Sequence, residues 1–286
     1  MNDMVVGCIT GYHFAQIEPW VVSLERSGFS GRKVMIVYNV GVEIVTELQR
    51  RGFAVTHFAR TSDGYHYKDR FNICIDRFLH LWQLLSHPKD AADVRYVITT
   101  DVKDVVFQTD PAQWLERHLG DRMINVGSES LRYRDEPWGY RNMLESFGPV
   151  LQEHAAPNII YNAGTIGGTG AALRDLALNI YLMCQGAPMH VKGGGGPDQA
   201  ALNILLSLEP YRSMTRFNAS EDGWACQAGT VADPKKIRAF RANLLDPEPV
   251  FRDGQVFTHG GERFCMVHQY DRIPAWKGII DAMYRD

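Results

Sequence analysis

Residues 97–111, VITTDVKDVVFQTDP, decide how the rest of the chain is read. Val97 to Thr100 is a β-branched apolar run that breaks at Asp101 and Asp104, resumes as Val105-Val106-Phe107 and stops again at Asp110-Pro111. The pattern predicts a buried strand running into a turn that carries two carboxylates. In α/β sheets ligands collect beyond the carboxyl ends of strands. A carboxylate pair there suits Mg²⁺ or Mn²⁺, which takes oxygen ligands and is commonly shared with substrate phosphates. The same two residues also fit a plainer role as capping residues of a solvated turn.

Composition narrows the classes. At 286 residues, with 45% hydrophobic and 11% aromatic side chains, the chain can build a sizeable core. Thirty basic against thirty-three acidic residues leave a formal net charge of −3, so no global positive field draws it to nucleic acid or anionic lipid. Cys8, Cys74, Cys184, Cys226 and Cys265 are odd in number and lack CxxC spacing, which argues against a disulfide framework and against a thiolate zinc site. A cytoplasmic location is the expectation. No basic segment precedes an apolar run at the N-terminus, and no window approaches the roughly 18 apolar residues of a membrane helix. Neither a secretion signal nor an integral membrane segment is expected.

Upstream of the acidic turn, strand and helix patterns alternate. Met4 to Thr10 reads as a strand, Pro19 as a helix start with Ser27-Gly28 as its stop, Lys33 to Tyr38 as a second strand, Val42 to Arg51 as a helix, and Ala54 to Phe58 as a third strand. Phe71, Cys74, Ile75, Phe78, Trp82 and Leu85 then recur at helical spacing, with Pro88 beyond the end. This alternation predicts right-handed βαβ units and a mixed, mainly parallel sheet flanked by helices. Thr10-Gly11-Tyr12 leaves the first strand at the edge where the acidic turn would lie; Tyr12 could stack a base, or Gly11 could simply turn the chain. No Gly-x-Gly-x-x-Gly follows that strand and no Walker motif is present, so phosphate binding would rest on metal and basic side chains. Arg70 and Arg77, seven apart, share a helix face; Arg77, inside the apolar stripe, is the better partner for a phosphate or carboxylate.

Downstream, loops lengthen. Met123 to Val126 reads as a strand, and Ser128 to Asn142, SESLRYRDEPWGYRN, as a loop whose rings, arginines and carboxylates suit sugar faces and hydroxyls, or simply water. In Asn158 to Gly168 a strand is interrupted by Asn162-Ala163-Gly164, small residues that mark close approach by ligand or backbone. Gly193 to Gly196 leads into Pro197-Asp198-Gln199 at a helix start. The glycines are either a lid or a connection needing positive φ, and Asp198 either caps the helix or faces a site. His268 follows a short apolar strand near the C-terminus.

As a set, these motifs resemble the nucleotide-sugar glycosyltransferases of GT-A fold, particularly the glycogenin and bacterial lipooligosaccharide galactosyltransferase type. The resemblance spans nearly the whole chain and rests on the N-terminal βα half, the acidic turn, Tyr161-Asn162-Ala163-Gly164, Asp198-Gln199 with Ala201-Leu202-Asn203, and His268. In that family the turn is Asp-x-Asp; here Lys103 occupies the strict position and one extra residue separates Asp101 from Asp104.

The resemblance implies a single GT-A-like, Rossmann-related α/β domain over 1–286, with 1–110 as the nucleotide-binding half and 111–286 as the acceptor-binding half and C-terminal segment. It implies transfer of a hexose from a nucleoside-diphosphate sugar, expected to be a UDP-sugar, to a glycan or other hydroxyl acceptor, with a lean to retention. Asp101, Asp104 and His268 would hold Mn²⁺ or Mg²⁺. Thr10, Gly11, Tyr12, Arg77, Asp101, Asn162, Ala163 and Gly164 would bind the donor, Asp198 and Gln199 would face the transferred sugar, and Lys277 would neutralise the leaving diphosphate. An inverting enzyme would need a carboxylate base, for which Asp198 and Glu221-Asp222 are the sources. Two other readings stand beside this one. A sugar-nucleotide nucleotidyltransferase would share the sheet and metal, and a non-catalytic sugar-binding GT-A-like domain would accommodate the altered acidic spacing.

Overall fold

The structure is a computed structural model that describes residues 2–58, 72–87, 93–188 and 190–285. Arg70, Phe71 and Pro88, singled out above, lie outside the described residues. Thirteen strands are described: β1 (Asn2–Thr10), β2 (Arg32–Tyr38), β3 (Ala54–His57), β4 (Val94–Thr100), β5 (Val105–Phe107), β6 (Ile124–Arg132), β7 (Ile159–Tyr161), β8 (Thr165–Thr169), β9 (Thr215–Asn218), β10 (Ala225–Gln227), β11 (Val250–Arg252), β12 (Gln255–Phe257) and β13 (Met266–His268). The central sheet runs β3-β2-β1-β4-β8-β6-β7, with β9 added alongside β6. β3, β2, β1 and β4 are parallel, β8 runs against both β4 and β6, β7 runs against β6, and β9 parallels β6. The sheet is thus mixed and mainly parallel.

Side-chain alternation along β1 feeds two cores. Met4, Val6 and Cys8 pack with Ile75, Phe78 and Leu81 of the helix Ile73–Ser86 and with the helices Gly170–Cys184 and Asp198–Ser207. Val5 and Ile9 face the other way, among Trp20 and Leu24 of the helix Phe14–Arg26, Leu48 of Val42–Arg50 and Leu115 of Pro111–His118. A strand covered on both faces reads as a continuous apolar run, which is what residues 4–9 are. Gly7 is bare for a reason: a Cβ there would come within 2.7 Å of Val102 in the acidic turn.

Three local expectations change. Pro19 lies inside the helix Phe14–Arg26, whose start is closed by Gln16 reaching back to the His13 amide at 2.9 Å. The stretch 128–142 is no loop: β6 continues to Arg132, Tyr133–Asp135 make one 3₁₀ turn, and a helix begins at Pro137 with the Glu136 carboxylate accepting from the amides of Trp138 and Gly139. Tyr133, expected on the surface, is buried. The interrupted strand is two strands, β7 and β8, with Asn162 to Gly164 as the step between them.

A second sheet, β10-β13-β5, positions the C-terminal segment. β13 runs antiparallel to β5 with His268 opposite Val105, and parallel to β10 with His268 opposite Gln227. The Gln269 amide then donates to the Asp104 carbonyl at 2.7 Å. This pairing returns the chain to the carboxyl end of β4. Among the described residues no helix is long and apolar enough to cross a membrane.

Candidate active site

β4 ends at Thr100 and β5 begins at Val105, so Asp101 to Asp104 form the whole connection. Val102 is buried and Lys103 is exposed. In a four-residue turn the first and last residues approach each other, so Asp-x-x-Asp spacing can present both carboxylates on one side. His268 Nε2 stands 3.4 Å from Asp101 Oδ2 and 3.6 Å from Asp104 Oδ1, and one ligand atom from each residue lies within 4.8 Å of the others. Adjacent ligands at about 2.0–2.1 Å in an octahedral Mg²⁺ shell are roughly 3 Å apart, so this spacing needs only a small contraction.

The surroundings fit a cation as well. His268 Nε2 is buried and makes no hydrogen bond. Its other nitrogen, Nδ1, lies 2.7 Å from Gln227 Oε1, and Gln227 Nε2 in turn donates to Thr165 Oγ1 at 2.9 Å. That chain puts the imidazole proton on Nδ1 and leaves the Nε2 lone pair facing the carboxylates, as metal-binding histidines require. Gly164 completes the notch. A Cβ there would lie 2.7 Å from Asp101 Oδ2 and 2.8 Å from His268 Cε1, while the Gly164 carbonyl accepts from the Asp101 amide at 2.9 Å.

Charges in the notch oppose one another. Burial would lift Asp101, but Arg77 and His268 hold it well below the usual carboxylate range. Asp104 is raised, first by burial and then by the charge of Asp101, against the pull of His268. Burial pushes His268 down, yet Asp104 and Asp101 raise it above its ordinary value. A divalent cation would substitute for that proton.

Arg77 is a carboxylate partner, one of the two roles open to it in the sequence. It reaches Asp101 with one terminal nitrogen, and with the other Asp198 Oδ2 at 3.0 Å and the Ala163 carbonyl at 3.2 Å. Asp198 is buried at the first position of its helix and raised by desolvation, with Arg77 opposing. Gln199 Oε1 accepts a long bond from the Ala163 amide at 3.4 Å, and its Nε2 donates to Glu129 Oε1 at 3.1 Å. Asn162 donates to the same Glu129 oxygen at 2.7 Å and accepts from the Gly164 amide at 2.6 Å. Asn203 serves the fold, since its side-chain amide pairs with both backbone groups of Tyr161.

Two cavities meet at Asp101, Arg77 and Arg272. The smaller, about 270 Å³, contains Tyr12, Lys103, Asp104 and Asp271. The larger, about 760 Å³, contains Asn162 to Gly164, Asp198, Gln199 and His268 and extends over Glu129, Trp138 and the glycine loop.

Several expected residues lie elsewhere. Thr10 and Gly11 line neither cavity; Thr10 pairs with Tyr38 in the sheet, and Gly11 takes φ +65° in the turn that follows. Lys277 is half-exposed on the helix Pro274–Met283 and pairs with Asp281 one turn on; it lines neither cavity. Helical spacing aims it at Asp281. Arg272 holds the position at the cavities instead. Glu221 and Asp222 cap backbone amides of His259, Gly260 and Ala219, and the further buried carboxylates on the cavity wall are Glu129 and Glu136. Gly193, Gly194 and Gly195 all have positive φ, and a Cβ on Gly193 would lie 3.1 Å from Trp138. The backbone itself thus requires glycine there, with no lid motion invoked.

Sequence reasoning missed Glu129, Gln227 and Arg272. Glu129 sat within the stretch read as a sugar-suited loop, and Arg272 four residues after His268; Gln227 carried no local signal.

No protein-family model matches the chain, and no curated protein sequence does. Among solved structures, the chain is similar to one described as galactosyltransferase LgtC in complex with donor and acceptor sugar analogs: TM-score 0.54 at 12% identity, covering 98% of this chain and 95% of that one. At that identity the likeness shows the fold. The fold is of GT-A type.

Proposed function

We propose that the chain is a metal-dependent glycosyltransferase that moves a hexose from a nucleoside-diphosphate sugar, with a UDP-sugar as the expected donor, to a glycan or other hydroxyl acceptor. The observation that carries this reading is the Asp101–Asp104–His268 notch at the junction of the two cavities, at the carboxyl end of β4 in a sheet of GT-A type. The smaller cavity is lined mostly from residues 1–110 and the larger mostly from 111–286, which supports a nucleotide-binding half and an acceptor-binding half within one domain.

Asp101, Asp104 and His268 would hold Mn²⁺ or Mg²⁺, which when bound supplies positive charge to the donor diphosphate. Tyr12 offers its ring to the base. Arg272, reaching both cavities, neutralises charge that develops on the departing diphosphate, the stage at which fixed cations contribute most. Asn162, Asp198 and Gln199 surround the transferred sugar. Gln199 presents an amide and no nucleophilic carboxylate, which agrees with retention in which the leaving phosphate accepts the acceptor's proton.

A panel of nucleotide sugars tests the reading. With Mn²⁺ present, slow release of nucleoside diphosphate that stops on chelation is expected. Consumption of pyrophosphate with release of nucleoside triphosphate would point to a nucleotidyltransferase, and binding without turnover to a sugar-binding domain.

A further inference from the structure

The larger cavity carries more cations than the donor needs. Arg141, Lys192 and Lys236 line it together with Arg272, but only Arg272 also reaches the smaller cavity and the metal turn. None of the four makes an ion pair within the described residues. The carboxylates on the same wall are already engaged. Asp101 and Asp198 share Arg77; Glu129 accepts from Asn162, Gln199 and, at 3.1 Å, Thr230; Glu136 accepts backbone amides at the helix start. Glu136 is pushed up by burial and by the charge of Glu129, with the backbone amides and Lys236 pulling it down. The lining thus sets Arg77, Arg141, Lys192, Lys236 and Arg272 against Asp101, Glu129, Glu136 and Asp198, a small formal excess of positive charge, and Arg141, Lys192 and Lys236 lie in the cavity that does not contain Tyr12.

Cations gathered along a concave wall attract anions more strongly than the same cations scattered on an open surface. Trp138 and Phe240 on this wall add ring surface of the kind that covers sugar C–H faces. Resting on the glycosyltransferase reading, we propose that the acceptor is an anionic glycan whose phosphate or carboxylate is held by Arg141, Lys192 and Lys236 while its hydroxyl faces the donor. The donor diphosphate is the competing claimant for these cations. It is served by the metal notch and Arg272, so three further cations exceed its requirement.

The test is calorimetric titration of the full chain, with Mn²⁺ and UDP present to fill the diphosphate site. A hexose 6-phosphate, a hexuronic acid and the matching neutral hexose are the probes. At least one anionic sugar is expected to bind roughly tenfold or more tightly than the neutral hexose, since charge-assisted contacts are about twice as strong as neutral ones. The preference should fall with added salt. Preference for the phosphate or for the carboxylate identifies the anion. The triple variant Arg141→Ala, Lys192→Ala, Lys236→Gln should lose the preference, while Lys235→Ala, which removes a cation outside the cavity, should keep it. Circular dichroism and melting of the triple variant verify its fold, and the single Lys236→Gln provides the same comparison with less disturbance. Equal binding of anionic and neutral sugars, or an anionic preference that survives in both variants, overturns the proposal. Absence of nucleoside diphosphate release from every donor would instead overturn the glycosyltransferase reading, and it is scored in a separate assay.

Discussion

Gln227 Oε1 and His268 Nδ1 lie 2.7 Å apart, and the other end of the Gln227 amide is anchored on Thr165. This relationship decides which nitrogen of His268 is free. Gln227→Leu puts an apolar side chain of similar size in place of the amide and removes the acceptor, so the ring can rotate or change tautomer. Loss of such an outer partner typically weakens metal binding by about 10–100-fold. Gln227→Glu retains an acceptor for Nδ1–H and should bind Mn²⁺ nearly as well as wild type. Titration of Mn²⁺ followed by electron paramagnetic resonance checks both, and equal affinities for the leucine and wild-type proteins would remove Gln227 from the metal site.

Asp101 and Asp104 are expected to separate on substitution. Spacing alone suggests that the extra residue moves Asp101 outward and makes Asp101→Asn the milder change. In the structure Asp101 also neutralises buried Arg77 and is tied through its amide to Gly164. Asp101→Asn should therefore cost both activity and stability, the latter by roughly 2 kcal/mol because Asp198 remains as a second partner for the guanidinium. Asp104→Asn should abolish most metal-dependent turnover while leaving the urea midpoint close to wild type. Indistinguishable melting of the two variants would refute this division.

Gly164→Ala tests the notch without touching a charge. The added methyl meets Asp101 Oδ2, His268 Cε1 and Asn162 Oδ1 at under 3 Å. The carboxylate and imidazole must separate, and a shared cation then loses at least one short bond. Expected is a Mn²⁺ requirement raised by about tenfold or more, with retained secondary structure, since ligands must lie close to 2 Å from the ion. Normal metal dependence in this variant would mean that the cation sits elsewhere.

What was legible in the chain follows from the range of the interactions. β1, β2, β4 and the helix Ile73–Ser86 are carried by local apolar periodicity, and the acidic turn by its chemistry. The longer reach of β6 was obscured because Ser128, Glu129 and Ser130 are polar yet buried: Ser128 Oγ accepts from the Ser130 amide, the Ser130 hydroxyl donates to Asp246, and Glu129 lines the larger cavity and accepts from Asn162. Lys277 and Arg272 show the same limit. Both are basic residues shortly after His268, and only the antiparallel pairing of β13 with β5, followed by the helix start at Pro274, turns one toward the cavities and the other toward Asp281. Long-range pairing of that kind leaves no trace in residue spacing.

His80 gives a pH dependence that is separate from the metal. Its ring stacks on Phe58 at 3.7 Å and its Nδ1 lies 2.5 Å from the Tyr38 hydroxyl, and burial lowers the imidazole to about 4 from an ordinary 6.5. Folding thus favours the neutral ring. The associated stability is complete above about pH 6.5 and is lost as pH falls toward 4, by no more than about 3 kcal/mol and by less to the extent that solvent reaches the ring. Asp104, Asp198 and Glu136, whose folded values are raised, change stability in the opposite sense, so the difference between proteins is the informative quantity. Relative to wild type, His80→Phe should lose less stability on going from pH 7 to pH 4.5 in urea denaturation. Parallel pH profiles would show that His80 does not titrate in this window.

Arg272 and Lys277 offer the sharpest contrast at the diphosphate. Arg272 lines both cavities and pairs with no carboxylate among the described residues, whereas Lys277 is committed to Asp281, which also receives the Tyr270 hydroxyl at 3.0 Å. Asp281 is buried and keeps the Tyr270 hydroxyl and Arg285, at 3.8 Å, as partners when Lys277 is removed, and the half-exposed lysine lines neither cavity. Lys277→Ala should therefore leave kcat and the donor KM within about twofold of wild type. Arg272→Ala removes a cation where charge appears as the glycosidic bond breaks, and a loss of about 10²-fold or more in kcat is expected. Arg272→Lys keeps the charge but not the paired donors of the guanidinium, and should recover part of the rate. If kcat instead falls with Lys277→Ala and survives Arg272→Ala, the C-terminal helix must swing toward the site during turnover, and Lys277 regains the diphosphate role that its sequence position suggests.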